Sequence, residues 1–171
     1  PDKPSITTSS TTTNVTTPTI VGTAEAGSTV TLFNGSTELG STFANSSRAF
    51  TITSSALTAG SYVLRVKATD TAGNTSTVSD PVVFTIDTTT PSLTSASSYS
   101  VEEGNTTIAT LTANEEVTWS ISGGADAAAF NLNSLSGALS FSFTPDFETP
   151  VDTGFNNTYE VQVEARDAGG N

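Results

Sequence analysis

Apolar and polar residues alternate along most of this chain with a period of two, the signature of β-strands with one wet and one buried face. In STVTLF (28–33) Val30 and Leu32 share a face opposite Thr, and the turn-forming NGS at 34–36 follows. AFTIT (49–53) directs Phe50 and Ile52 inward. SYVLRVKATD (61–70) aligns Tyr62, Leu64, Val66 and Ala68 against Arg65 and Lys67, and PVVFTID (81–87) aligns Val82, Phe84 and Ile86. The same plan returns further on. VTWSIS (117–122) places Val117, Trp119 and Ile121 inward, ALSFSF (138–143) places Leu139, Phe141 and Phe143, and YEVQVEARD (159–167) places Tyr159, Val161, Val163 and Ala165. Between these runs, GGADAAAF (123–130) is expected to form a single helical turn.

The pattern predicts an all-β chain of two tandem Greek-key β-sandwiches, over residues 1–88 and 89–171. DTTTPSLTS (87–95) has the Pro and Thr content of a short hinge, which places the boundary near residue 89. A repeat supports the division. Tyr62 to Asp70 spans eight positions, as does Tyr159 to Asp167, and Asn74 and Asn171 each follow their Asp by four, an offset of 97. In the first copy a further strand follows Asn74. By repeat logic the second sandwich is expected to lack its last strand, and to be incomplete or completed by a strand from another chain.

Composition narrows the chemistry. Cys, Met and His are absent, so no disulfide, thiolate nucleophile, imidazole base or haem ligand can be built. The net charge of −12 is uneven, −2 over residues 1–88 and −10 over 89–171, where Arg166 is the one basic residue. Such a surface repels nucleic acid and anionic lipid and attracts cations. With no apolar run of transmembrane length, no initiating Met and no signal peptide, the chain is expected to be an internal segment of a larger protein. The paired carboxylates Asp146 and Glu148 are spaced compatibly with a glycosidase. Without a cleft-forming scaffold or aromatic subsites beyond Trp119, no enzymatic activity is expected.

GTAEAGSTVTLFNGSTELGST (22–42) and TAGSYVLRVKATDTAGNTSTVSDPVVFTIDTTTP (58–91) resemble the bacterial Ig-like repeats of very large surface adhesins. The second half resembles a bacterial cadherin-like repeat. The carrying residues are SVEEGN (100–105), WSISGGADAAAFNLNSLSGAL (119–139), PDFE (145–148) in place of Asp-Arg-Glu, and VEARDAGGN (163–171) in place of Ala-x-Asp-x-Gly. Where cadherins carry Asp-x-Asp, this chain has Asn114, Glu115 and Glu116. The cadherin resemblance implies Ca²⁺ ligation at domain junctions by Glu103, Asp146, Glu148 and Asp167. Asp87 and Asp70 join as candidates from the hinge and from the first repeat. Calcium is a hard ion that takes oxygen ligands and needs neither His nor Cys.

In such sandwiches Asp167 is expected at the pole where the chain enters, facing Asp87 and the first domain. Glu103, Asp146 and Glu148 are expected at the opposite pole, with Asp152, Asn156 and Asn157 in the loop on that side. Phe147, between the two ligands, is expected to point into the core. The resemblance implies extender repeats of a secreted or cell-surface bacterial adhesin, stiffened by calcium and serving adhesion or biofilm formation. Implied partners are neighbouring repeats of the same polypeptide, with homophilic, other cell-surface or polysaccharide contacts, and without nucleic acid or membrane insertion. A carbohydrate-binding module using Trp119 and a passive spacer are the alternatives.

Overall fold

A computed structural model describes all 171 residues. The chain divides into two compact units, Pro1–Thr88 and Thr89–Asn171. Both are built from strands, and no helix is long and apolar enough to cross a membrane.

Unit 1 has eight strands: β1 (Ser5–Ile6), β2 (Thr11–Thr13), β3 (Thr19–Thr23), β4 (Thr29–Asn34), β5 (Thr37–Phe43), β6 (Ala49–Thr53), β7 (Gly60–Thr69) and β8 (Val82–Ile86). One sheet has the order β1-β3-β6 and the other β2-β8-β7-β4-β5. All pairings are antiparallel except β2 with β8, which run parallel with Thr11 opposite Phe84. The alternation seen in sequence is realised residue by residue. Val30, Leu32, Leu64, Val66 and Ala68 on one sheet face Ile20, Phe50 and Ile52 on the other, and all are buried in one core.

Gly22 is required where β3 passes β1. A Cβ there would collide with the Ser5 carbonyl oxygen and the Phe50 ring. Tyr62 adds a polar anchor at the core's edge, its hydroxyl donating to the Thr58 carbonyl at 3.0 Å. This ties the start of β7 to the loop before it.

Unit 2 has β9 (Thr107–Thr110), β10 (Thr118–Gly123), a 3₁₀ turn (Ala127–Ala129), β11 (Phe130–Leu132), β12 (Ala138–Phe141) and β13 (Gln162–Arg166). The sheets are β11-β12-β9 and β10-β13, all antiparallel. The helical turn expected from GGADAAAF is present. YEVQVEARD is strand only over its last part, because β10, its one strand neighbour, pairs with Gln162–Arg166.

The core of unit 2 gathers on Leu111, Trp119, Phe130 and Leu139. Beside it Phe130, Phe141, Phe143 and Tyr159 form a chain of ring contacts with centroids 5.1–5.8 Å apart. Gly137 closes the β11–β12 turn at φ +71°, and a Cβ there would strike the Leu111 carbonyl and the Trp119 indole nitrogen. Trp119 is 5% exposed, consistent with a core role and not with a sugar-stacking platform.

Candidate functional site

The acidic group of unit 2 is assembled from two loops. Glu103 sits in a turn closed by the Asn105 N–H donating to the Glu102 carbonyl at 3.2 Å, with Gly104 at φ +79°. The Gly104 N–H donates to the Pro145 carbonyl at 3.0 Å, which brings this turn against Asp146. Asp146 Oδ1 accepts the Glu148 N–H at 3.0 Å, a local side-chain turn, and Glu103 Oε2 accepts the Phe147 N–H at 3.3 Å. As a result one carboxylate oxygen from each of Glu103, Asp146 and Glu148 lies within 4.8 Å of the other two, and all three side chains are exposed.

Phe147 corrects an expectation. It is 65% exposed rather than buried. Residues 144–150 form no strand, so the period-two alternation that would have sent it inward does not operate. The Asp146 side-chain bond to Glu148 turns the backbone instead.

The neighbouring loop is pinned by two buried carboxylates. Asp152, 1% exposed, accepts the N–H groups of Gly154, Asn156 and Asn157 at 2.9–3.0 Å. Asn157 then donates its Nδ2 to the Phe147 carbonyl at 3.0 Å, connecting this loop to the acidic group. Asp126 accepts the Glu160 N–H at 2.8 Å and both the N–H and hydroxyl of Thr153, at 2.7 and 2.8 Å. The Glu160 N–H first, and then the two Thr153 donors, hold its carboxyl below the usual carboxylate value. Sequence reasoning passed over Asp126 as a loop anchor, since nothing local in GGADAAAF points to partners 27 and 34 positions away.

The repeated Asp-x₃-Asn motif forms the same clasp twice. Asp70 Oδ1 accepts the N–H of Ala72 and of Asn74, and Oδ2 accepts Asn74 Nδ2 at 2.8 Å. Asp167 Oδ1 accepts the Asn171 N–H at 2.9 Å, and Oδ2 accepts Asn171 Nδ2 at 3.0 Å. In both, the Asn side chain is the leading cause of a lowered carboxyl pKa. Asp70 is half-buried, holds the end of its own turn and belongs to neither acidic group. Asp167 is joined within unit 2 by Glu115, carboxylate oxygen to carboxylate oxygen within 4.8 Å. Glu115 occupies the position of the cadherin Asp-x-Asp, the signal by which it could have been found. Asp87 follows β8 in unit 1, where its N–H donates to the Thr13 carbonyl at 2.9 Å.

Both acidic groups of unit 2 offer carboxylate oxygen alone, the donor type of hard divalent cations, and Arg166, the one cation of this unit, is engaged by Glu164 at 2.9 Å. The donor chemistry therefore fits calcium.

Residues 3–88, with the β1–β8 sandwich just described, match the bacterial Ig-like domain family, Big_13. The chain belongs to this family. No curated protein matches the sequence significantly. Solved structures similar to this bacterial Ig-like chain include a biofilm-associated protein BSP domain, 28% identical with a TM-score of 0.41, covering 52% of this chain and 15% of that one. They also include Drosophila N-cadherin EC1-4, 19% identical with a TM-score of 0.38, covering 98% and 47%. Fibronectin(III)-like modules of Clostridium thermocellum CbhA are 18% identical with a TM-score of 0.43, covering 96% and 86%. The chain thus spans less than half the length of the first two.

Proposed function

We propose that this bacterial Ig-like chain is a pair of extender repeats from a large surface or secreted adhesin, and that its second repeat binds Ca²⁺. The observation that carries the reading is the convergence of Glu103, Asp146 and Glu148. Three exposed carboxylates within 4.8 Å repel one another in the absence of a cation, and two separate loops hold them there. Asp167 with Glu115 forms the second proposed donor pair of this repeat. Asp87 and Asp70 are proposed on sequence grounds, Asp70 more weakly because its oxygens already hold the Asn74 clasp.

Calcium supplies two positive charges and accepts about six to eight oxygens. The protein's part is to hold the Glu103 turn against the Pro145–Glu148 segment, so that neutralising the carboxylates fastens two loops that otherwise repel. In a tandem array this stiffens the repeats and projects whatever the array carries, in adhesion or biofilm formation at the cell surface. The similarity to a biofilm-associated protein supports that setting.

Isothermal calorimetry and thermal melts with Ca²⁺ or chelator test the reading. Calcium is expected to bind and to raise the melting temperature of the second repeat, and Glu103→Gln combined with Asp146→Asn and Glu148→Gln is expected to abolish that gain. Calcium that neither binds nor changes the melt sinks it.

A further inference from the structure

Phe155 holds a backbone conformation that a bulky residue rarely adopts. Its φ is +52°, in the left-handed region where glycine is favoured and a Cβ crowds the backbone. Four hydrogen bonds impose it. The buried Asp152 carboxylate accepts the N–H groups of Gly154, Asn156 and Asn157, and the Asp152 carbonyl accepts the Phe155 N–H at 3.2 Å. The ring gains little within unit 2 in return, being 77% exposed. Glycine would close the same turn without strain, so the use of the ring lies outside the unit.

Val151 and Phe147 are exposed on the same loop, and the Asn157 Nδ2 bond to the Phe147 carbonyl fastens residues 155–157 against that part of it. Phe147 stands between Asp146 and Glu148, whose carboxylates gather with Glu103. The tip of unit 2 is therefore a fixed display of apolar side chains bordered by acids, the composition of a contact with another molecule.

Unit 1 carries a face of the opposite character. On the outward side of the β2-β8-β7-β4-β5 sheet, Val63 lies opposite Val83, Arg65 opposite Phe33, Lys67 opposite Thr31, and Phe43 opposite Thr29. Val63, Val83 and Phe43 are exposed, Phe43 at 72%. Lys3 and Arg48 are paired with Asp80 and Asp2, whereas Lys67 has no acidic partner and Arg65 spends one nitrogen on the Ser79 carbonyl. Glu38, opposite Phe33 on the edge strand β5, is the one acid among these positions.

We propose that the unit 2 tip of one copy of this chain docks on the outer β7–β4 face of unit 1 of a second copy. Charge selects this pairing. Two such faces would set Arg65 and Lys67 against their own kind, and two tips would set three carboxylates against three. Tip against face joins opposite charges and covers Phe147, Val151 and Phe155 with the exposed valines and Phe43 of the sheet. The contact is heterologous, so it links copies head to tail and leaves one free tip and one free face on every assembly. Made by a single loop, it belongs to the small, transient class of interfaces.

The association needs no calcium, so the test is made in chelator, apart from any metal binding. In sedimentation equilibrium of the full chain, from about 10 μM to 1 mM, the average mass is expected to rise with concentration and to fall back as salt is raised. Phe155→Gly with Val151→Thr at the tip is expected to leave the protein monomeric, as is Lys67→Glu with Val63→Thr on the face. Mixing the two variants is expected to restore one-to-one pairs, because the first keeps an intact face and the second an intact tip. An unaltered chain that stays monomeric throughout overturns the docking, and so does either variant if it associates as the unaltered chain does. A mixture that stays monomeric overturns the pairing of tip with face.

Discussion

The two units carry the same central strand and the same Asp-x₃-Asn clasp, yet they bury it to different depths. In β7, Leu64, Val66 and Ala68 are fully buried, whereas in β13 Val163 and Ala165 alternate in the same phase but remain half-buried. Fifteen apolar residues form the buried core of unit 1, against four in unit 2. Alternation decides which face a side chain takes. How deeply that face is buried depends on a strand on each side and a full sheet opposite. Unit 2 also uses its polar residues differently, placing three carboxylates, Asp126, Asp152 and Asp167, in buried positions where they hold loops and turns.

That contrast can be broken most sharply in the cores. Leu64→Ala removes a fully buried side chain and is expected to destabilise unit 1 by about 3 kcal/mol. Val163→Ala, on the half-buried counterpart strand, is expected to cost unit 2 about 1 kcal/mol or less. Denaturant titration with a probe in each unit reads both, and equal losses would show that the difference in burial carries no energetic weight.

Next in size is the loop anchor. Asp152→Ala leaves three N–H groups without their carboxylate and is expected to cost unit 2 about 2–3 kcal/mol. Asp152→Asn, which keeps an acceptor oxygen, is expected to lose less. If chemical denaturation of unit 2 is the same for Asp152→Ala as for the unaltered protein, the buried carboxylate is not what holds residues 153–157.

Acid should act on both units through the same chemistry. Asp70 and Asp80 in unit 1, and Asp126 and Asp167 in unit 2, have folded-state pKa values below the ordinary carboxylate value because hydrogen-bond donors, for Asp80 the Lys3 ammonium, favour their ionised form. Their stabilising contribution is therefore complete above the unfolded value of about 4 and is lost as pH falls through the lower folded values. Melts between about pH 5 and 2 are expected to show both units weakening, unit 2 more, because Asp126 and Asp167 are buried whereas Asp70 is half-buried and Asp80 is exposed and screened by solvent. An Asp126→Asn variant is expected to flatten that extra slope, and an unchanged slope would remove Asp126 as its source.

The smallest effect is expected at the surface of unit 1. Lys3 and Asp80 form an ion pair at 2.8 Å, with side chains 46% and 89% exposed. Lys3→Ala is expected to change stability by less than about 1 kcal/mol, and by less still at high salt. A larger, salt-insensitive loss in the same melts would mean that the lysine stem packs in a way its exposure does not show.

Much of this architecture is legible in the sequence, because strand alternation and the 97-residue repeat are written in short-range patterns. Val30 with Leu32, Phe50 with Ile52, and Val82 with Phe84 and Ile86 all lie inward as their spacing implies. The acidic group was readable only in part. Glu103, Asp146 and Glu148 converge because the Gly104 N–H meets the Pro145 carbonyl, a contact across some forty positions. Glu115 could be reached through its place in the cadherin pattern, but its approach to Asp167 is a product of folding.

Phe147 marks where local reasoning stops. A residue between two carboxylates on a strand would face the core, but here the chain has left the sheet and a side-chain hydrogen bond sets its direction. Asp126 and Asp152 make the same point from the interior, for their donors come from a loop that no periodicity describes. Residue order alone sets which positions alternate, where the repeat recurs and that oxygen is the available ligand chemistry. Which carboxylates are buried and which gather in solvent emerges only on folding, because those outcomes depend on hydrogen bonds and packing between residues distant in the chain.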